Sequence, residues 1–220
     1  MGLGVEDRIR MVKRAAKEIR PLMCVNLGIG IPTLVADFIP EEWNVMFHAE
    51  NGILGAGRKP ASGSEDENLC NAGGYPITLS KGGSYFDSAT AFAIVRKQLL
   101  DMTILGGLEV SEQGDLANWI VPGKRVPGMG GAMDLAVNGK KLVVMMSHTD
   151  KQGKSKIVKK CGLPLTATQC VNLIITERAV IEVGEAGLIL KETMDRYSVE
   201  DIVANTGCTL TIPPDIEKFQ

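Results

Sequence analysis

The chain has 220 residues, of which 45% are hydrophobic and 23% charged, a composition typical of a soluble globular protein. Its formal net charge of -2 gives no electrostatic reason to expect nucleic acid or an anionic membrane as a partner. The first residues lack the basic start and apolar core of a secretory signal, and no apolar run is long enough to span a bilayer. We therefore expect a cytoplasmic protein that forms a single domain over residues 1–220.

Cysteine and histidine usage argues against a disulfide framework and against a metal site. The five cysteines are an odd number, are widely spread and include no Cys-x-x-Cys pair. The two histidines, His48 and His148, are far from any zinc-ligand spacing. Reduced thiols fit this pattern, and we expect neither a metal ion nor a permanently bound cofactor.

Hydrophobic periodicity predicts alternating helices and strands in the first part of the chain. Apolar residues recur at steps of three and four over residues 5–20, which predicts an amphipathic helix, and a strand follows over 23–27. A short helix is expected over 33–39. A second strand over 44–49 leads directly into Glu50.

The next segment, residues 51–83, is dense in Gly, Pro, Ser and Asn, and we predict a long loop there, broken by a short strand over 77–79. A helix is expected over 87–100. The residues predicted for its buried side are Ala89, Phe92, Ala93, Val95 and Leu99.

Further apolar runs predict strands in the second half of the chain, over residues 102–105, 142–146, 172–176, 179–183 and 188–191. Ser198 is placed to cap a later helix. The predicted fold class is α/β, an open layered α/β/α arrangement. Its sheet is mainly parallel, with some antiparallel strands toward the C-terminus.

The first candidate site is the pair Gly28 and Gly30, between a strand and a helix. Glycines there let a backbone approach phosphate, and Glu50 lies about twenty residues on, where a dinucleotide-binding fold has its ribose-binding acid. However, Thr33 replaces the third glycine of that fingerprint, and Pro32 intrudes. A tight strand-to-helix turn is therefore the simpler interpretation.

The second candidate is Glu50 itself, which leads into Asn51, Gly52 and Gly55. A carboxylate on a rigid strand, facing a loop whose glycines allow close approach, is well placed for nucleophilic catalysis. A single Glu at a strand end is usually a solvated surface residue. The residue pattern alone favours the catalytic interpretation only slightly.

The third candidate is the glycine-rich stretch over residues 106–135, which includes Gly130 and Gly131. Glycine-rich backbone has few side chains to cover it, so its N–H groups are exposed and can donate to an oxyanion or to phosphate. Lys124 and Arg125 lie alongside. An anion-binding loop is thus at least as well supported as an irregular loop that needs glycine for positive φ angles.

Taken together, these segments resemble the β subunit of the family I coenzyme A transferases of the 3-oxoacid type. The matching stretches follow in order over nearly the whole chain, at residues 25–32, 50–55, 71–74, 85–88, 116–119 and 122–135. The run Glu-Asn-Gly at residues 50–52 is highly specific for this family when it occurs together with the other stretches. One departure is Ala49, where the family usually has Ser, and it concerns substrate preference or rate more than reaction class.

The resemblance implies a ping-pong transfer of CoA between a short-chain acyl-CoA and a carboxylic acid, with a 3-oxoacid such as acetoacetate among the candidates. Glu50 would be the nucleophile that carries a glutamyl-CoA thioester, and the Gly131 backbone amide would stabilise the oxyanion. Further candidates for substrate or CoA binding are Asn51, Gly52, Gly28, Gly30, Gly130 and Lys124. CoA is then a substrate, and the implied partner is an α subunit in an α2β2 assembly.

Two other classes of protein stay open at this point. One is a non-catalytic nucleotide- or sugar-phosphate-binding α/β protein that uses Gly28, Gly30 and the loop near Gly130. The other is a regulatory or scaffolding subunit whose glutamate is inert. The sequence also leaves open which acids are exchanged, with acetoacetate, butyrate, acetate and succinate as candidates.

Overall fold

A sheet of eleven strands forms the centre of the protein in a computed structural model that describes residues 3–123 and 128–219. The α-helices are α1 (Val5–Ala16), α2 (Ser88–Arg96), α3 (Ala132–Asn138) and α4 (Val199–Ala204), and two 3-10 helices cover Ile31–Phe38 and Glu41–Trp43. None of the described helices is long and apolar enough to cross a membrane.

The strands of the first half of the chain are β1 (Cys24–Leu27), β2 (Met46–Ala49), β3 (Ile53–Ala56), β4 (Leu79–Tyr85), β5 (Met102–Gly106), β6 (Glu109–Ser111) and β7 (Leu116–Ala117). Those of the second half are β8 (Leu142–Met145), β9 (Ile157–Val158), β10 (Leu173–Ile175), β11 (Ala179–Gly184), β12 (Gly187–Met194), β13 (Leu210–Thr211) and β14 (Glu217–Phe219). β6, β7 and β9 form a separate small sheet.

Five parallel strands occupy the middle of the large sheet, in the order β10-β8-β5-β1-β2. All four residues of β8 are buried, as expected for a strand covered on both faces. β11 and β12 continue the sheet antiparallel at one side, while β3 and β4 do so at the other. The predicted α/β class with a mainly parallel sheet is confirmed.

The predicted loop after Glu50 is wrong at both of its ends, since β3 and β4 lie within or overlap it. β3 turns back directly from β2, with Ala49 paired to Ile53. The glycines that suggested a loop are what permits this arrangement, because Gly55 in β3 has φ +87° and lies against Gly83 in β4. Antiparallel pairing is therefore present beside Glu50 as well as toward the C-terminus.

Two hydrophobic cores cover the two faces of the sheet. Alternate residues of β8 illustrate the division, because Val143 and Met145 belong to the first core and Leu142 and Val144 to the second. Helix α1 packs into the first core, where Met11, Val12 and Ala15 are completely buried. Helices α2, α3 and α4 pack into the second.

Helix α2 is shorter than predicted and buries a different set of residues. Its sheet-facing side consists of Ala91 and Val95, one turn apart. Phe92 is half-buried, and the three remaining residues of the predicted buried side, Ala89, Ala93 and Leu99, are exposed. The predicted side was too wide, since a helix this short contacts the sheet along a narrow line. Helix α4 begins as predicted, with Ser198 and Asp201 forming a reciprocal capping box.

His148 lies three residues beyond the carboxyl end of β8 and gives the fold a specific pH dependence. Its side chain is completely buried between the hydroxyls of Thr176 and Thr206, at 3.0 Å from each. Burial, with a smaller contribution from the charge of Arg178, lowers the pKa of His148 from 6.5 to about 4. Between those two values the unfolded chain binds a proton that the folded protein does not.

We expect the free energy of unfolding to fall by about 2–3 kcal/mol as the pH drops from 6.5 to 4, because protonation then favours the unfolded state. Urea titrations across this window measure the slope. A His148→Gln variant should flatten it, leaving the contribution of His48, whose pKa burial also lowers. An identical slope in the two proteins would contradict this assignment.

Candidate active site

Glu50 lies at the carboxyl edge of the parallel sheet, immediately after β2 ends at Ala49. Strands β1 and β5 end at the same edge, so Gly28 and Gly107, which follow them, lie at this edge too. In open α/β sheets this edge is the usual place for ligands. The Glu50 side chain is only half-buried, which leaves its carboxylate accessible from solvent.

A buried polar pair, Asn26 and His48, lies beneath Glu50. The two residues are paired across β1 and β2, and both side chains are almost completely buried. The Asn26 side-chain nitrogen lies 3.1 Å from His48 Nδ1, 3.0 Å from the His48 carbonyl oxygen and 3.5 Å from Glu50 Oε2. With two hydrogens for three acceptors, this amide connects the strand to the carboxylate.

The hydrogen bonds of His48 indicate a neutral ring. Its Nε2 lies 3.2 Å from the carbonyl oxygen of Ala91, which can only accept, so Nε2 carries the hydrogen. Nδ1 then accepts from Asn26. Burial lowers the pKa of His48, outweighing the opposite effects of the Ala91 carbonyl and of the Glu50 charge. The ring therefore holds Asn26 in place without adding a positive charge.

The turn after Glu50 is built by Asn51 and Gly52. The Asn51 side chain donates to the carbonyl oxygen of Cys70 at 2.9 Å, which ties the turn to the loop opposite. Gly52 has φ +115°, and its carbonyl oxygen accepts from the Phe86 N–H at 3.0 Å. A Cβ at position 52 would overlap the carbonyl oxygen of Phe86. This turn consequently requires glycine for its conformation and for its close packing.

Gly131 and Glu50 lie close together, although they are far apart in the sequence. A Cβ built on Gly131 would lie 3.8 Å from Glu50 Cγ. Gly131 precedes helix α3, and Gly130 before it has φ +55°, so the loop bends sharply as it passes the carboxylate. The end of the glycine-rich stretch at Gly131 thus lies next to Glu50, as the structure describes it.

The other predicted binding residues are more dispersed. The Gly28 N–H already donates to the Ile104 carbonyl oxygen at 2.8 Å, and a Cβ there would lie 2.9 Å from Leu105 Cδ2, so close packing accounts for this glycine. Gly30 has φ +94° and lines an open cleft of about 540 Å³ together with Asn71. Lys124 lies outside the described residues.

Ala49 points away from the carboxylate rather than beside it. Its side chain packs into the first core, whereas the ring of the neighbouring His48 points to the opposite face, toward the Ala91 carbonyl oxygen of α2. The family's usual Ser at this position would therefore place its hydroxyl on the far side of the strand from His48. Side chains alternate between the two faces of a strand, so adjacency to Glu50 in the sequence does not place the side chain of residue 49 beside the carboxylate.

Sequence reasoning missed Asn26 and His48 as parts of the site. A signal was present, because each is a polar residue inside a short, otherwise mainly apolar predicted strand. Buried polar groups need partners, and two such residues in adjacent parallel strands are candidates for each other. The register that makes them partners is visible only in the structure.

The coenzyme A transferase family model matches residues 8–205 of this chain. The chain is similar to the beta chain of a probable coenzyme A transferase of Bacillus subtilis (strain 168), with 56% identity covering 96% of this chain and 98% of the relative. The chain belongs to the coenzyme A transferase family. The identification made from the sequence is confirmed, and the dinucleotide-binding interpretation is no longer needed.

A second relative and a solved structure are also similar to this transferase chain. It is 50% identical to one subunit of the probable succinyl-CoA:3-ketoacid coenzyme A transferase of Bacillus subtilis (strain 168), over 96% of this chain and 98% of the relative. The acyl-CoA transferase YdiF from Escherichia coli O157:H7 shares its fold, with a TM-score of 0.80 at 22% identity. This chain is covered completely in that superposition but spans 44% of YdiF.

Proposed function

We propose that this chain is the β subunit of a two-subunit coenzyme A transferase in which Glu50 is the covalent nucleophile. The observation that carries the proposal is the position of the Glu50 carboxylate, half-exposed at the carboxyl edge and next to the backbone of Gly131. Membership of the family supports the reaction class. The geometry supports the assignment of the residue.

In the first half-reaction a Glu50 carboxylate oxygen attacks the acyl-CoA carbonyl carbon. The carbon–sulfur bond breaks, giving a mixed anhydride and the CoA thiolate. The thiolate then attacks the Glu50 carbonyl carbon, the anhydride carbon–oxygen bond breaks, and the first acid leaves. Glu50 now carries CoA as a thioester, and the incoming acid runs the same steps in reverse.

Every addition in this sequence passes through a tetrahedral oxyanion. We assign its stabilisation to the Gly131 backbone amide, since Gly131 lies against Glu50 and a single such donor is worth about 3–4 kcal/mol in other enzymes. Asn26 is within reach of Glu50 Oε2 and orients the carboxylate for attack. For binding CoA and the acids we retain Asn51, Gly52, Gly28, Gly30, Gly130 and Lys124 as candidates.

The expected substrates are short-chain acyl-CoA thioesters and carboxylic acids, with a 3-oxoacid such as acetoacetate as one partner acid. The name of the succinyl-CoA:3-ketoacid relative supports this choice. The expected protein partner is an α subunit in an α2β2 assembly. Relatives that this chain matches over 98% of their length are called subunits, and YdiF is more than twice as long.

Steady-state kinetics of the chain co-purified with its α subunit test this proposal. The rate is measured while succinyl-CoA is varied at several fixed acetoacetate concentrations. A ping-pong reaction gives parallel double-reciprocal lines, and we expect the β chain alone to be inactive. Intersecting lines would indicate direct transfer within a ternary complex and would contradict the covalent mechanism.

A further inference from the structure

Phe92, a half-buried residue of helix α2, lies directly against Gly131. A Cβ built on Gly131 would lie 2.7 Å from both Cε1 and Cζ of the Phe92 ring, closer than such atoms approach one another. Gly131 itself has an ordinary φ of -84°. The ring, rather than the backbone conformation, is therefore what requires glycine at this position.

The contact between Phe92 and Gly131 continues to the nucleophile. The same Cβ position on Gly131 lies 3.8 Å from Glu50 Cγ, so the backbone at Gly131 has the aromatic ring near it as well as the glutamate side chain. Movement of the ring would change the space available to this backbone. The distance between the Gly131 backbone and the carboxylate thus depends on where Phe92 lies.

Arg96 and Asp134 link the Phe92 ring to helix α3. The Arg96 guanidinium, one turn further along α2, lies 5.7 Å from the centre of the Phe92 ring. The same guanidinium donates to both carboxylate oxygens of Asp134 in the first turn of α3, at 2.8 and 3.1 Å. An exposed ion pair adds little to the free energy of unfolding. The bidentate geometry of this pair nevertheless fixes the orientation of α3, and with it the position of Gly131.

We propose that Phe92, braced by Arg96 and Asp134, is a positioning residue that sets the distance between the Gly131 amide and Glu50. Its proposed effect on the reaction passes through Gly131 and not through direct chemistry at the reacting atoms. A misplacement of about 1 Å at a catalytic group can lower a rate about 100-fold. A Phe92 ring that is free to move would therefore lower kcat. This inference rests on the proposed function of Glu50 and Gly131.

The test is a double-mutant cycle on the α–β complex, using Gly131→Ala, Phe92→Ala and the combined variant. Gly131→Ala keeps the backbone amide but drives a methyl group into the ring, and we expect kcat to fall about 100-fold. Phe92→Ala should lower kcat about 10-fold with KM within about twofold of the wild type. The combined variant should recover to the level of Phe92→Ala, because the methyl group then has room.

Ile94 supplies the matched control, since it is a half-buried apolar residue on the same helix that packs into the second core. Ile94→Ala should lower the melting temperature about as much as Phe92→Ala while leaving kcat within about twofold. Losses that multiply in the combined variant, or an equal loss of kcat in Ile94→Ala, would overturn the proposal. Formation of the Glu50 thioester in the wild type, measured in parallel, shows separately whether the covalent mechanism holds.

Discussion

Replacing Glu50 by Gln removes CoA transfer, with an expected loss of about 10⁴-fold or more in kcat, the scale seen when a covalent nucleophile is removed. The amide has almost the shape of the carboxylate but is not a competent nucleophile. The fold should be unaffected, because Glu50 is half-exposed and its contact with Asn26 is long, at 3.5 Å. Exchange of labelled acetoacetate into acyl-CoA by the α–β complex measures the loss.

Glu42, an exposed glutamate in the 3-10 helix that precedes β2, provides the control. Glu42→Gln makes the same chemical change and should leave the exchange rate within about twofold, since surface substitutions have small effects. Circular dichroism and the unfolding midpoint show whether each variant is folded. Retained exchange in a folded Glu50→Gln enzyme would rule out Glu50 as the nucleophile.

Gly52→Ala combines a large loss of stability with a large loss of activity. Two costs coincide, because φ at this position is +115° and the new methyl group meets the Phe86 carbonyl oxygen. We expect a destabilisation of about 3 kcal/mol and a melting temperature lower by about 6–12 °C. The turn that follows Glu50 must also shift, so kcat should fall about 100-fold.

Gly63→Ala separates the free-energy cost of a positive φ from that of the steric clash with Phe86. Gly63 has φ +84°, but a Cβ there meets nothing within 4 Å. This variant should lose only about 1–2 kcal/mol and keep the wild-type kcat. Thermal unfolding and steady-state assays of both variants make the comparison. Equal effects on stability and rate would mean that the contact with Phe86 has no special role in holding the turn.

The central part of the fold could be predicted because its signals are local and strong. The apolar runs over 102–105 and 142–146 lack polar alternation and correspond to the buried strands β5 and β8. The edge of the sheet could not be predicted in the same way. β4 contains two glycines and is largely exposed, so neither its composition nor its hydrophobicity distinguishes it from a loop.

The site shows a similar division. Composition and spacing barely distinguished Glu50 from an ordinary surface glutamate. Its interpretation as a nucleophile came from the resemblance to the transferase family. The proximity of Gly131 to Glu50 depends on how α3 crosses the sheet, which no local pattern encodes. The ring of Phe92 was assigned to a buried face, whereas it is half-buried and lies against that glycine. Long-range packing decides each of these contacts.

The most direct test of the central claim is mass spectrometry of the complex after incubation with acyl-CoA and no acceptor acid. Borohydride reduction converts a glutamyl thioester to the alcohol, and digestion then locates the modified residue. We predict loss of activity together with modification of the peptide at Glu50, and no modification in Glu50→Gln. An enzyme that transfers CoA while its Glu50 peptide stays unmodified would contradict the covalent mechanism.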